Sequence, residues 1–391
     1  MITYAEALRR LMEKAVPVEG METVPLLYST HRVLAEDIVS PIAVPGWDNS
    51  QMDGYAVRAA ELAEASEDHP VVLPVSDRIP AGQVGSRLAQ GSVARIFTVV
   101  PQENVEVTPE GVCFKSPVRE GAWVRRRGSD VPQGGVVLKK GARLTPAAIG
   151  MVASIGRAYV KVYRRLRVGI FFSGDELVQP GEPLPPGGIY NSNRFMIRSL
   201  LQELGCEALD LGSVPDTLEA TIEAFESAAA SADVILTTGG MSVGEEDHIK
   251  PAVEAVGSLN VWRVRLKPGK PLAFGEVRGV PFIGCPGNPV AGFVVFLMMA
   301  RPYLLRTMGL TDIDVKPMAV RADFDWLKPG DRQEFVRVRR NDEGGLDLYH
   351  TQNSQVLSSC AWADGLVDIP VGGTVRKGDM VSYYPFCQFF A

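Results

Sequence analysis

Histidine is scarce in this 391-residue chain: His31, His69, His248 and His350 are far apart and form no HExxH pair. That scarcity argues against a histidine-ligated metal and against a Ser–His–Asp triad. Cysteine is sparse too. Cys113, Cys206, Cys285, Cys360 and Cys387 are odd in number, widely spaced and without a CxxC. They fit buried or free thiols in a reducing compartment better than a disulfide framework or a zinc site. No GxxxxGK[ST] occurs, which disfavours a P-loop nucleotidase. The segment Met1–Leu8 lacks a basic start and an apolar core, so no secretory signal is expected. The apolar stretch Val290–Ala300 is too short to span a bilayer. The net charge of −6 speaks against a general nucleic-acid binder, while leaving room for a local basic pocket. Repeats and low-complexity tracts are also missing. A cytoplasmic location is expected.

What is there reads as a soluble multidomain protein, 46% apolar and 22% charged, long enough for two to four domains. Residues 3–16 have helical spacing, with Ala5, Leu8, Leu11, Met12 and Ala15 on one side and Thr3 placed to cap. Residues 31–150 are rich in Val, Gly and Pro, with short strand candidates such as Gly121–Arg125. From Leu166 strands and helices alternate. Strands are expected at Leu166–Phe172, Ala208–Leu211, Asp233–Thr237 and Val280–Cys285, and helices at Arg194–Leu204, Leu218–Ala230, His248–Val256 and Pro289–Met308. That alternation predicts a three-layer α/β domain with ligands outside the C-terminal strand ends. Beyond Leu310, short β segments (Met318–Phe324, Glu334–Arg340, Leu346–His350 and Thr374–Tyr384) suggest a small barrel.

The most informative segment is Asp233–Asp247, an apolar strand opening into Thr238-Gly239-Gly240-Met241-Ser242-Val243-Gly244 and then Glu245-Glu246-Asp247. Glycines let backbone N–H groups approach a phosphate, and the carboxylates behind them can hold a divalent cation. The plainer alternative is a solvated helix N-terminus, where acids are favoured anyway. A second unit, Val280-Pro281-Phe282-Ile283-Gly284-Cys285-Pro286-Gly287-Asn288-Pro289, repeats the strand–turn–helix plan, so two polar loops point to one crevice. Ser173-Gly174-Asp175-Glu176-Leu177 and Asp216 follow two further strands. Singly these are a chain reversal and an ordinary helix cap. Together Glu176, Asp216 and Asp247 end or follow three successive strands, where an oxygen-ligand Mg²⁺ site could assemble. Arg263, Arg265, Lys267 and Lys270 alternate on a strand and turn. Such a pattern usually marks a solvated face, yet the rigid Lys267-Pro268-Gly269-Lys270 turn suits a compact oxyanion or phosphate.

Ordered motifs along the whole chain resemble the molybdopterin molybdenumtransferase family, MoeA in bacteria and the gephyrin E domain in animals. They are Pro45–Ala56 (PGWDNSQMDGYA), Arg127-Gly128-Ser129-Asp130, Ser173–Leu177, Thr238–Asp247, Lys267–Pro271 and Pro286–Pro289. The resemblance implies a multidomain α/β plus β fold. An extended linker domain comprises residues 1–40 and 134–165, a β-rich inserted domain 41–133, a molybdopterin-binding three-layer α/β domain 166–310, and a C-terminal β-barrel 311–391. It implies Mg²⁺-dependent insertion of molybdate into adenylylated molybdopterin with release of AMP, in a homodimer with sites shared between subunits. A transient contact with the molybdopterin adenylyltransferase is also implied. By motif, Asp53 and Asp130 come from the inserted domain, and Glu176, Asp216 and Asp247 from the α/β domain, the last three as metal ligands. Thr98, Gly239, Gly240, Ser242, Gly244, Lys267, Lys270, Pro286 and Pro289 would bind substrate.

One segment departs from the pattern. The family continues its Arg-Ile-Phe-Thr strand into a Gly-Ala-Pro-x-Pro-x-Gly-Ala-Asp loop, whereas here Arg95-Ile96-Phe97-Thr98 runs directly into Val99-Val100-Pro101. That shortening sets up the alternative of a pterin-binding or scaffold homologue with reduced turnover. A third reading is a related α/β enzyme acting on a phosphorylated nucleotide, disfavoured by the extra β-rich regions.

Overall fold

The computed structural model describes residues 1–80, 82–96, 100–240 and 248–390, the side chains of Ile96, Val261 and Trp262 excepted. Two compact units divide the chain. One comprises residues 1–36, 140–145 and 159–391, the other residues 37–139 and 146–158.

The second unit is built from short strands. A four-stranded sheet runs in the order Val75–Arg78, Val93–Ile96, Gly54–Ala56, Val100–Pro101, and a three-stranded sheet in the order Val71–Leu73, Gly111–Phe114, Glu106–Thr108. Tyr55, Leu62, Leu73, Val93, Val112 and Phe114 form its core. Val93–Ile96 and Val100–Pro101 flank Gly54–Ala56 on either side, both antiparallel to it. They are therefore parallel to each other, an arrangement that ordinarily takes a dozen or so connecting residues. Only residues 97–99 separate them in sequence, at the position where the resemblance implies a longer loop. A helix at Pro146–Ser154 was not expected in this region.

In the first unit, Thr3 caps the helix Tyr4–Met12 by accepting from the Glu6 N–H at 3.2 Å, and Ala7 and Leu11 are fully buried. The α/β part contains, in chain order, β1 (Arg167–Ser173), α1 (Ser192–Leu204), β2 (Glu207–Val214), α2 (Leu218–Ser231), β3 (Val234–Thr238), α3 (Ile249–Val256), β4 (Gly257–Arg263), β5 (Pro271–Val277), β6 (Val280–Cys285) and α4, which begins at Pro289. The sheet order is β2-β1-β3-β6-β5-β4. The first four strands are parallel, and β5 and β4 add an antiparallel edge. Each central strand sends alternate side chains to opposite helical layers. Val168, Ile170 and Phe172 of β1 join the cluster with Leu200, Leu204 and Val294, whereas Phe171 packs with Phe225 and Val253. Phe171, Phe225 and Phe282 meet edge to face, with centroids 4.9 and 5.0 Å apart, which adds about 0.5–1.5 kcal/mol per pair beyond burial. Three layers follow, as the alternation of strands and helices predicts.

Helix α4 runs from Pro289 to Thr307, with a π-turn at Phe296–Ala300. It is longer than the apolar stretch read from sequence, and by length and composition could cross a membrane, but 83% of its apolar window is buried inside the protein. It is a core helix. The C-terminal region forms a sheet in the order Leu266–Lys267, Gln333–Arg340, Gly365–Ile369, Met380–Pro385, Met318–Arg321, with Leu346–Leu348 beside Gln333–Arg340. The strand expected over Thr374–Tyr384 starts at Met380. Val375 makes only an isolated bridge to Trp326, and Gly378, with φ of 101°, turns the chain before the strand begins.

Candidate functional site

The parallel strands β1, β3 and β6 end side by side, so their following loops share one edge of the sheet. A cavity of about 1120 Å³ opens there. Its floor comes from Thr238-Gly239-Gly240 and Pro286-Gly287-Asn288-Pro289. The Gly239 N–H donates to the Cys285 carbonyl at 3.1 Å, and a Cβ on Gly287 would lie 3.2 Å from the Gly239 Cα. Glycine at both positions lets the two loops touch. Asn193, on the first turn of α1, ties them further: its Nδ2 donates to Thr238 Oγ1 at 3.2 Å and to the Gly287 carbonyl at 2.7 Å. Asn191 holds that helix start by accepting from the Arg194 N–H at 3.1 Å. Cys285 lies beneath the floor, where complete burial pushes its thiol up to about 12, so it is a neutral packing group.

The acidic wall carries Glu176, which lines the cavity. Asp216 does not line it. Its Oδ1 accepts from Ser173 Oγ at 2.9 Å, and Ser173 is in the wall, so Asp216 acts on the cavity through that hydroxyl. Its own N–H donates to Asp175 Oδ1 at 3.0 Å. Among the described residues no three His, Cys, Asp or Glu side chains cluster as a metal site. Glu176 and Asp216 supply hard oxygen donors of the kind Mg²⁺ takes, and Asp247, their expected companion, lies outside the described residues, as do Thr98, Ser242 and Gly244. Asp53 and Asp130 are exposed in the second unit, where the Asp53 carbonyl accepts from the Gln102 N–H and the Asp130 N–H donates to the Val44 carbonyl, each at 3.0 Å.

The lining also carries cations: Lys267, Lys270 and Arg332. The turn between the lysines depends on Gly269, whose φ is 112° and whose Cβ, if present, would lie 2.3 Å from Val295 Cγ2. The lysines differ: Lys267 Nζ pairs with Glu334 Oε2 at 3.0 Å, whereas Lys270 is exposed and makes no ion pair among the described residues. Sequence reasoning missed Asn191, Asn193, Arg332 and Ser354. The Asn-Ser-Asn helix start could have signalled the first two, since a capping residue after a strand end is readable. Arg332 and Ser354 carry no local signal. Ser354 is in the wall because Asn288 Nδ2 donates to its Oγ at 3.1 Å and the Val290 N–H to its carbonyl at 3.0 Å.

Comparison with known proteins identifies the family. Residues 2–156 match the MoeA N-terminal region (domain I and II), residues 169–306 a "Probable molybdopterin binding domain", and residues 319–386 the MoeA C-terminal region (domain IV). A molybdopterin molybdenumtransferase of Haemophilus influenzae is 36% identical, covering 99% of both chains. Molybdopterin molybdenumtransferase 2 of Mycobacterium tuberculosis is 34% identical over 89% of this chain and 90% of its own. A crystal structure of the molybdopterin biosynthesis MoeA protein of Pyrococcus horikoshii superposes with a TM-score of 0.85 at 28% identity, covering 99% of this chain and 100% of that one. With relatives above 30% identity along nearly all of its length, and matches in the N-terminal, central and C-terminal regions, the chain belongs to the molybdopterin molybdenumtransferase family.

Proposed function

We propose that this chain is the enzyme that inserts molybdenum during molybdenum cofactor biosynthesis, using adenylylated molybdopterin and molybdate and releasing AMP. The observation that carries the reading is that one cavity is lined by the glycine loops, by Glu176 and by Lys267, Lys270 and Arg332. An elongated, phosphorylated heterocycle fits the floor, where the backbone at Gly240 and Gly287 can approach phosphate oxygens without side-chain obstruction, and Gly239 leaves room beside them. Molybdate, a compact oxyanion, fits the lining cations. Water adding across the phosphoanhydride would leave AMP and the pterin's own phosphate; separately, the two dithiolene thiols would bind molybdenum from molybdate, one oxo ligand leaving as water with the two thiol protons.

Mg²⁺, held by Glu176 and Asp247 with Asp216 behind the Ser173 hydroxyl, would supply the charge that offsets the phosphate oxygens. Ser173 keeps Asp216 in one orientation by its 2.9 Å hydrogen bond, and the Asp216 N–H fixes Asp175 beside it. Asp53 and Asp130 complete the reading as acids brought by the second unit of a partner subunit in a cytoplasmic homodimer, with transient contact to the adenylyltransferase that makes the substrate. The C-terminal sheet is read as a barrel, supported by the Asp323 N–H donating to the Leu346 carbonyl at 2.9 Å, which links the first strand's exit to the hairpin. The scaffold alternative with reduced turnover is not favoured, since the described family acids and lysines are all retained. Incubation with adenylylated molybdopterin, Mg²⁺ and molybdate, followed by chromatography for AMP, tests the proposal. Molybdate-dependent AMP release supports it, and folded protein that releases none above background refutes it.

A further inference from the structure

Lys267 sits between two cavities. It lines the crevice and also a second hollow of about 470 Å³ bounded by Trp326, Lys328, Arg332 and Glu334. Its ammonium is engaged on that second side, 3.0 Å from Glu334 Oε2 and 5.9 Å from the centroid of the Trp326 ring. The pairing is set by backbone register, because Leu266–Lys267 runs parallel to Gln333–Glu334 with Lys267 opposite Glu334. Glu334 is only 5% exposed, and among the described residues Lys267 is the cation that pairs with it. A buried carboxylate stripped of its partner is strongly destabilising, so this ammonium is not readily surrendered to a ligand. Lys270 is placed differently: it is exposed and unpaired among the described residues, and Arg332 has only exposed Asp331, at 3.6 Å.

We propose that Glu334 is a positioning residue for the oxyanion end of the crevice, holding the Lys267 ammonium aside and leaving Lys270 and Arg332 to meet the anion. The inference rests on the oxyanion reading above for the identity of the ligand. Two available cations match a tetrahedral dianion. Removing the Glu334 charge releases a third cation and strengthens binding of any such dianion, a gain that mere loosening of the fold could not produce.

The test is calorimetric titration of the full chain with molybdate and, as a generic dianion, with sulfate, at low ionic strength. Glu334→Gln is expected to bind both anions about threefold to tenfold tighter, the effect of one added charge several ångströms away in a partly aqueous site. The double variant Glu334→Gln/Lys267→Met is expected to return to within about twofold of the parent, because the released charge is gone. Glu334→Gln binding no tighter than the parent overturns the proposal. So does a double variant weakened about tenfold, which would mean that the Lys267 ammonium already contacts the anion. Should Glu334→Gln fail to fold, the apolar pair replacement Glu334→Met/Lys267→Met and the single Lys270→Met are compared: the Lys270 variant is expected to lose more affinity, and the reverse order overturns the proposal. Molybdate bound no better than sulfate counts against the molybdenum reading alone, and the sulfate titrations still decide the role of Glu334.

Discussion

Asn193 joins the two glycine loops through one amide nitrogen, and its replacement separates loop positioning from fold stability. The amide orientation is fixed by chemistry. The Gly287 carbonyl at 2.7 Å can only accept, so the atom facing it must be the nitrogen. The other end, Oδ1, is buried and has no hydrogen-bond partner among the described residues, so it contributes no described bond to be lost. Asn193→Ala removes two neutral hydrogen bonds, worth about 1–3 kcal/mol together. It also removes the unsatisfied oxygen, which returns about 1 kcal/mol, and helix propensity returns about 0.5. The net loss expected is therefore small, about 0.5 kcal/mol. Function is more sensitive, since the loops lose their shared donor at the cavity floor, and AMP release should fall about tenfold or more. Asn193→Asp keeps the size but sets a second acceptor against the Gly287 carbonyl, and should cost about 2–4 kcal/mol, more than Ala. Urea unfolding gives the stabilities, and AMP chromatography the rates. If the Asp variant proves as stable as the parent, the nitrogen does not face Gly287 and the clamp is misassigned.

The parts of this fold that sequence made legible are those whose cause is local. Strands β3 and β6 read as short apolar runs because both faces are covered by helices, so no polar alternation interrupts them. The end of β3 shifts to Thr238 because Thr237 and Thr238 are buried, at 1% and 4% exposed, and β-branched hydroxyl residues continue a strand as well as valine does. Strand β5 was obscured by its opening Pro271 and by Gly275. Glycine is required at 275, because a Cβ there would lie 2.3 Å from the Ser258 carbonyl on β4. Its antiparallel partner is recognisable only once the sheet is assembled. The site divides the same way. Glu176, Gly239, Gly240, Lys267 and Lys270 follow strand ends or fill a turn, so a rule about strand ends finds them. Arg332 and Ser354 arrive from loops of the C-terminal region, and the Lys267–Glu334 pair comes from a bridge across 67 positions of sequence. No periodicity encodes such contacts.

The remaining expectations address other supports of the site. Gly269→Ala should cost at least about 2 kcal/mol, from its left-handed φ of 112° and the Cβ contact with Val295, and an unchanged urea midpoint would remove the turn from the argument. Phe389→Ala should cost about 3–5 kcal/mol, because the ring is 1% exposed and the Arg301 guanidinium lies over it at 5.6 Å. A midpoint shift of a surface substitution's size would show that the short helix Phe386–Phe390 is not held by that ring. For the proposed shared dimer, mixing inactive Asp53→Asn with inactive Asp247→Asn should restore about a quarter of parent activity after verified subunit exchange, whereas no recovery places the site within one chain. Asp233 gives the start of the α/β sheet an acid-sensitive contact. Burial opposes its ionisation, but the Arg164 fork at 2.6 and 2.7 Å and the Arg167 N–H at 2.8 Å outweigh it, so its carboxyl titrates below the ordinary range. A folded-state value below the unfolded one gives stability that is full above about pH 4 and is lost as pH falls through the folded value. Asp233→Asn should therefore lower stability at pH 7 and flatten its fall below about pH 4. Equal acid slopes for parent and variant in urea titrations would show that the Arg164 pair is not what depresses the carboxyl, and would move the acid sensitivity to another group.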